Sequence, residues 1–507
     1  MNFTPVFLWS DLLLFALVAV CIFYGRFAAR HAHLRAPWAK VKKNAAGMAA
    51  VTVLIPFVLI GLLDSLHYRP ILETTAGTAK ASFSVEVKSV LDIVAGAALG
   101  KMIGKSERTY SAPLATHGFS KETVELPGAA NSGNTDKQTR EYPRLASGGR
   151  HLQNPVEEHG RDLVIQTARG SVLGALVWLV LALALMAAAS VGVGVVGVGA
   201  GVGTGAAGTG IAQTWRATWR GETETPWRAI LITLLMLCML SGIAITLGSR
   251  YHLMGTDKVG QDVFYLALKS IRTALMIGTL TTLVMLPLGV LLGIAAGYLR
   301  GWVDDLIQYL YTTLNSIPGV LLIAASVLMM QVYIEANPHL FQTAVERADF
   351  RLLALCFILG VMSWTGLCRL LRGEALKLRE LEYVQAARAF GVSHFRIIVR
   401  HLLPNVMHLV IISAVMDFSG MVLTEAVLSY VGVGVDPAMN SFGSMINAAR
   451  LEMSRDPMVW WALAASFFFM FTLVLAANLF ADAVRDAFDP RLVVKRPRLA
   501  FLGKGKA

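Results

Sequence analysis

Charge is scarce in this 507-residue chain. Asp, Glu, Lys and Arg make up 15% of it, against about 25% in ordinary soluble domains, while 55% is apolar. A soluble protein of this size lacks the polar cover for so much apolar surface. A disordered chain, a collagen and a small disulfide scaffold are excluded by the same composition. Cysteine is scarce too. Cys21, Cys238, Cys356 and Cys368 each sit inside an apolar run, and none has a neighbour at zinc spacing, so they read as small hydrophobes. Catalytic motifs are missing: there is no His-Glu-x-x-His and no Gly-x-Ser-x-Gly, and the 11 His are scattered. The nearest approach to a phosphate loop is Gly104-Lys105-Ser106, but Leu99 stands where the first Gly belongs and no strand precedes it. The expectation is a chain that binds no metal or other cofactor and catalyses nothing. If it moves a solute uphill, the energy must come from an ion gradient or from a partner.

What the chain has instead is long apolar runs. A helix needs about 20 such residues to cross a bilayer, and about nine candidates are present. They fall near Pro5–Tyr24, Ala45–Leu63, Ser171–Val196, Ala229–Leu247, Thr273–Ala296, Ile307–Gln331, Leu352–Leu370, Leu402–Tyr430 and Val459–Asn478. The expected fold is an all-α polytopic membrane protein surrounded by lipid. The first run does not read as a cleaved signal, because no basic region precedes it and Asp11 lies near its start.

The net charge of +12 would suggest nucleic acid in a soluble protein. Here it reads as topology, with no nucleic-acid partner. Arg26, Arg30, Arg35, Lys40, Lys42 and Lys43 lie between the first two runs without an acid among them, and Arg491, Lys495, Arg496, Arg498, Lys504 and Lys506 follow the last. Cytoplasmic loops carry such an excess. Both segments fit one topology with an odd number of spans, N-terminus outside and C-terminus inside. The stretch 65–170 is then an extracytoplasmic loop. Within it Val87, Val90, Leu91, Val94 and Ala98 fall on one helical face, either interfacial or packed on the loop. Residues Val191 to Gly210, about half Gly, read as a flexible linker.

The most informative stretch lies before the eighth span. Arg369, Arg372, Glu374, Lys377, Arg379, Glu380 and Glu382 crowd its first half, and Arg388, Arg396 and Arg400 its second. A helix runs through Glu382 to Phe390, Gly391 supplies a stop with positive φ, Ser393 caps a second short helix, and Pro404 precedes the next span. The product is a helix–turn–helix elbow. Tyr383, Val384, Ala387, Phe390, Phe395 and Ile398 give it more apolar surface than a solvated loop carries, which points to a partner protein.

Here the sequence resembles a known family. Gln385-Ala386-Ala387, Gly391 and Leu403-Pro404 resemble the EAA loop of ABC importer permeases, and the string from Tyr383 to Asn405 is similar to the dipeptide/oligopeptide/nickel permease family. The family's Glu at the first motif position is Gln385, so no negative charge is required there. Gly255-Thr256-Asp257 through Gly260-Gln261-Asp262, with Arg272, resembles another family segment, with Gln261 for the usual Arg and Ser270 for Gly. Ala296-Gly297-Tyr298, Gly301-Trp302-Val303-Asp304, Ile317-Pro318-Gly319, Leu428 to Pro437, Phe442-Gly443, Asn478, Asp486 and Asp489-Pro490-Arg491-Leu492 continue the resemblance in order.

The resemblance implies a type I ABC importer permease core over 251–492. Around it stand an extra span and basic loop at 1–44, a first permease-type span at 45–64, the outer loop 65–170, an inserted helical hairpin with Gly-rich linker at 171–250, and a basic tail at 493–507. It implies the permease subunit of a peptide importer in the bacterial inner membrane. Its implied partners are a homologous second permease, cytoplasmic ATP-binding subunits that use ATP and Mg, and an extracytoplasmic solute-binding protein. By the same resemblance, Tyr383, Gln385, Ala386, Ala387, Gly391, Leu403 and Pro404 form the ATPase-coupling loop.

Two further readings concern particular residues. Gly289, Gly293 and Gly297 recur every four residues in the fifth span, a row that lets helices approach closely, either within the subunit or at a seam with the second permease. Asp417 and Glu425 lie inside the eighth span, where ionisable groups face a protein interior or a wet cavity. They lie within about 80° of each other on the helix and either line the solute path or pair internally. An ion-coupled secondary carrier is the competing class; it would show inverted, broken repeats and no elbow. Nickel and peptide-like antibiotics are alternative cargoes, nickel disfavoured by the lack of a Met/His/Cys path.

Overall fold

The computed structural model describes residues 3–71, 84, 87–99, 106–124, 139–191, 211–221, 223–341 and 343–489. The Gly-rich stretch from 192, the motif end Pro490-Arg491-Leu492 and the basic tail lie outside the described residues, as do Gly104 and Lys105. The described chain is overwhelmingly helical, and nine of its helical segments are long and apolar enough to cross a membrane.

Strand β1 (Phe3–Val6) leads into α1 (Trp9–Arg30), the short basic α2 (Ala32–Lys43) and α3 (Ala45–Asp64). The first span therefore begins four residues later than its apolar run, because Phe3–Val6 pairs antiparallel with β2 (His67–Pro70), which in turn pairs with β3 (Lys88–Ser89). Ser89 caps α4 (Val90–Ala98) and also donates through Oγ to Asp64 Oδ1 at 2.7 Å. The inward face of α4 is Leu91 and Ala95, continued by Leu99; Val94 is exposed with Ile93. The expected face is thus rotated, since the helix starts at Val90 and its close neighbour is α3.

A two-stranded ribbon, β4 (Glu122–Val124) and β5 (Thr139–Glu141), precedes α5 (Pro155–Val191), α6 (Ile211–Arg220) and α7 (Trp227–Gly248). The third span starts well before Ser171. Its pairing with α7 is built on glycine: a Cβ at Gly242 would collide with the Gly170 carbonyl, and one at Gly174 with that of Cys238. Gly170-x-x-x-Gly174 is the same small-residue spacing as the row in the fifth span, and it escaped the sequence reading. Trp178 Nε1 closes the pair by donating to the Leu231 carbonyl at 2.9 Å.

At the centre stands α8 (Val263–Leu299), started by Asp262, whose carboxylate accepts from the Tyr265 N–H. At 37 residues it spans about 55 Å, more than the ~30 Å hydrocarbon core, and so links both ends of the molecule. It packs against α3, α11 (Ala344–Ser363), α12 (Thr365–Arg379) and α15 (Leu403–Val431). Between α8 and α11 come α9 (Trp302–Ser316) and α10 (Gly319–Ala336). The expected sixth span over 307–331 is therefore broken. Ile317 precedes Pro318 and takes an extended conformation, ψ 133°, as a residue before proline prefers; the span is α10. Two short helices, α13 (Glu382–Ala389) and α14 (His394–Ile397), lie between α12 and α15. Helix α16 (Phe442–Glu452) then leads to α17 (Trp461–Phe488), which lies against α3 and α15.

The first span, α1, is fastened to α8 and α11 by charge. Arg272 Nη2 donates to Asp11 Oδ1 at 2.6 Å, His67 Nδ1 lies 2.8 Å from Asp11 Oδ2, and Ser10 bonds Asp349 through its hydroxyl and its N–H. All five groups are buried or nearly so. Removing one partner of such a pair leaves an uncompensated charge, at about 3–5 kcal/mol.

Candidate functional site

The elbow is built at the end of α8 opposite Asp262. Helix α12 carries it, and α12 lies directly on the glycine row of α8. A Cβ at Gly289 would meet Leu367 at 2.9 Å, one at Gly293 the Cys368 carbonyl at 2.8 Å, and one at Gly297 Ala375 at 2.6 Å. The row thus faces α12 of the same chain, not a second subunit. Arg372 Nε and Nη2 donate to the two carboxylate oxygens of Asp304 at 2.6 and 2.8 Å, fixing α12 to α9. Arg379 donates to the Tyr298 carbonyl at 2.9 Å.

Helix α13 ends in a Schellman turn. Gly391 N–H donates to the Arg388 carbonyl and Val392 N–H to that of Ala387, both at 3.1 Å, with Gly391 at φ +71°. The chain reverses there and enters α14. Ser393 stands at the N-cap, as expected, but its side chain makes no capping bond. The second arm is not a separate short helix either: after four residues it passes into α15 through a π-helical turn, Ile398–Leu402, with Pro404 just after that turn, a local widening of the kind that accommodates a proline's missing N–H. One arm of the elbow is therefore continuous with a span.

The inner side of the elbow is part of the core. Val384 is 2% exposed and shares a cluster with Ile397, Leu402, Ala375, Ile294 and Met285. Tyr298 Oη lies 2.9 Å from His394 Nδ1, Asn405 Nδ2 donates to Tyr383 Oη at 3.0 Å, and Gln385 Nε2 donates to the Glu380 carbonyl at 3.1 Å. Gln385 thus has a local use for its amide that a carboxylate would not serve. Val384 cannot face a partner, and Ala387 and Ile398 are half-buried. The outer side presents Phe390 (87% exposed) and Phe395 (77%), with Tyr383 and, missed in the sequence, Leu381 and Val399. Gln385 and Ala386 are exposed beside them, while Leu403 is half-buried. These aromatics stand on arms anchored at both ends, so a force applied to them passes into α12 and α15.

Asp417 and Glu425 do not share one surface. Glu425 is 1% exposed and accepts from Ser429 Oγ at 2.6 Å, with the Ser441 hydroxyl as a further donor. Its partners are hydroxyls of its own helix and of the α16 cap, so it does not line a path. Asp417 is half-buried, beside the exposed strip Met416, Leu423, Val427 and Tyr430, and makes no hydrogen bond or ion pair among the described residues. A separation near 80° is enough to put one carboxylate inside and the other at the edge.

A second polar centre, at the other end of α8, was not foreseen. His252 is fully buried between two carboxylates, Nδ1 2.8 Å from Asp262 and Nε2 3.3 Å from Glu107. Burial opposes its charge, yet the hydrogen bonds and charges of Asp262 and Glu107 outweigh that and push it up to about 9. For Glu107 burial again works against the ion, but His252 and the N–H groups of Ala146 and Ser147 bring it down to about 2. Around this centre the 106–121 segment is stitched to the 250–262 segment. Ser111 N–H donates to Thr256 Oγ1 at 2.6 Å, Leu114 N–H to the His252 carbonyl, and Glu107 N–H to that of Gly260, both at 2.9 Å. His252 and Glu107 are 145 residues apart, and no local pattern announces such a pair.

Comparison with known proteins agrees with this geometry. Residues 289–494 match the family described as binding-protein-dependent transport system inner membrane component. The chain is 34% identical over 244 residues to the glutathione transport system permease protein GsiD of Pectobacterium atrosepticum, a match covering 48% of this chain and 74% of the relative. It is 30% identical to the dipeptide transport system permease protein DppC of Bacillus subtilis over 48% of this chain and 70% of that one. The same identity relates it to the oligopeptide transport system permease protein OppC of Haemophilus influenzae, over 48% and 71%. With nine apolar helices among its described residues, the chain belongs to the peptide/oligopeptide family of ABC importer permeases, as a non-catalytic, multi-pass subunit of the bacterial inner membrane.

Proposed function

We propose that this subunit forms half of a path for peptides and is driven by a separate ATPase through the elbow. The observation that carries the reading is the elbow itself: Tyr383, Phe390 and Phe395 exposed on arms whose other faces are locked into α8, α12 and α15. ATP and Mg are used in the partner, against which these aromatics seat; a second permease completes the path, and a solute-binding protein delivers cargo at the opposite end. The elbow end is the cytoplasmic one. Basic α2 lies at that end, with Trp38 packed edge-on to Phe488 at the close of α17, and such charge is retained in the cytoplasm. Peptide is the cargo by analogy with the glutathione, dipeptide and oligopeptide transport of the relatives. Asp417, without a hydrogen-bond or ion-pair partner among the described residues, is our candidate to meet a peptide's amino group.

Reconstitution tests this directly. The chain, its partner permease, ATPase and binding protein in proteoliposomes are expected to accumulate labelled di- to oligopeptides only with ATP. Accumulation driven by an ion gradient without ATP would instead support a secondary carrier.

A further inference from the structure

Two short helices at the elbow end take no part in the lever. Helix α2 leads into α3, and α6 precedes α7. Helix α2 turns Trp38 and Val41 onto the end of α17 and leaves Arg35, Lys40 and Lys43 exposed. Helix α6 turns Trp215 inward, into a cluster with Met48, Trp178 and Trp227, and leaves Arg216, Trp219 and Arg220 exposed. Met48 belongs to the first turn of α3 and Trp227 opens α7, so α6 lies level with the start of two spans, at the edge of the hydrocarbon. The end of α2 reaches the link between α6 and α7: Lys43 Nζ is 3.5 Å from Glu224. Residues 26–47 and 211–231 together hold nine Lys and Arg against two Glu.

We infer that α2 and α6 form a collar that binds the phosphate headgroups of anionic phospholipids. Three independent features converge on that ligand. The charge excess lies on the two segments that lead into α3 and α7. Trp219 stands exposed on the second of them, and tryptophan favours the headgroup level. The guanidinium groups of Arg216 and Arg220 offer forked donors that match a phosphate. Each cation close to an anionic surface adds about fivefold to the association constant. The collar rests only on the membrane-spanning assignment and stands or falls independently of the cargo.

The test uses the full chain, purified and delipidated in detergent, with phosphatidylglycerol and phosphatidylcholine of identical acyl chains titrated in by native mass spectrometry. The wild-type chain is expected to bind phosphatidylglycerol at least tenfold more tightly. The variant Arg35→Gln, Lys40→Gln, Arg216→Gln, Arg220→Gln should bring the two lipids within about twofold, whereas Arg150→Gln with Arg161→Gln, distant from the collar, should leave the preference intact. Should the quadruple variant misfold, salt provides the second reading: the wild-type preference should collapse as the screening length falls from about 10 Å at 0.1 M to about 3 Å at 1 M. Equal affinity for the two lipids, or a preference that neither the variant nor salt reduces, would overturn the inference.

Discussion

Replacing Phe390 and Phe395 together by Ser is expected to abolish solute uptake while the chain still folds and inserts. Both rings lie on the outer side of the elbow and are more than three-quarters exposed, so their loss removes almost no internal packing. Buried aromatic anchors at an interface cost about 2 kcal/mol or more each when truncated, and two of them correspond to about a thousandfold in affinity for the ATPase. The control is Val384→Ala, which should do the reverse: it opens a gap in the cluster with Ile397 and Leu402 and lowers the thermal midpoint with little direct effect on docking. Gly391 separates conformation from contact. A Cβ there meets nothing within 4 Å of its own chain, yet the residue sits at φ +71°, where a non-glycine residue costs about 1–2 kcal/mol. Gly391→Asn, which tolerates that region, should retain most of the uptake; Gly391→Glu should leave ATP hydrolysis running without transport.

The second large effect is a pH dependence at the other end of the molecule. His252 has its proton affinity raised from an ordinary 6.5 to about 9 by Glu107 and Asp262, so its stabilisation is complete below about 6.5 and is lost as pH rises through 9. The shift corresponds to about 3 kcal/mol. Glu107 is lowered from 4.5 to about 2, so its share is present above about 4.5 and is lost as pH falls toward 2. Amide protection of residues 106–121, the exchange rate taken relative to the intrinsic base-catalysed rate, should therefore be highest between pH 4.5 and 6.5 and fall progressively from there, the His252 share being gone once pH passes 9. His252→Gln should erase that alkaline fall and leave protection low throughout. Protection unchanged from pH 6.5 to beyond 9 would mean that the segment is held by its backbone bonds to the 250–262 segment alone.

These two centres show what was legible in the chain. The spans were, because a run of apolar residues long enough to cross a bilayer has few other stable fates. The elbow was, because Gly391, Ser393 and Pro404 punctuate it and the family motif runs through it. Its sidedness was not: a list of apolar residues in an amphipathic hairpin does not say which of Val384 and Phe390 finds a neighbour, and only the packing of α12 on the glycine row decides. The same gap explains Glu425, whose hydroxyl partners come from its own helix and from the α16 cap. The break at Ile317-Pro318 was signalled by the proline but overridden by the apolar run on either side. The Glu107–His252 pair joins residues with no shared periodicity and had no readable trace.

The central claim is that the exposed aromatics of the elbow seat on a separate ATPase. Cysteine at position 395, introduced into a chain whose four native cysteines are replaced by Ser or Ala, measures it most directly. In the assembled transporter, Phe395→Cys should form a disulfide cross-link to a cysteine on the ATPase surface, in a yield that changes between the nucleotide-free and ATP-bound states. A cysteine at Arg150, at the opposite end, should form none. Equal cross-linking at both positions, or none at position 395 in an assembly that still imports, would contradict the account.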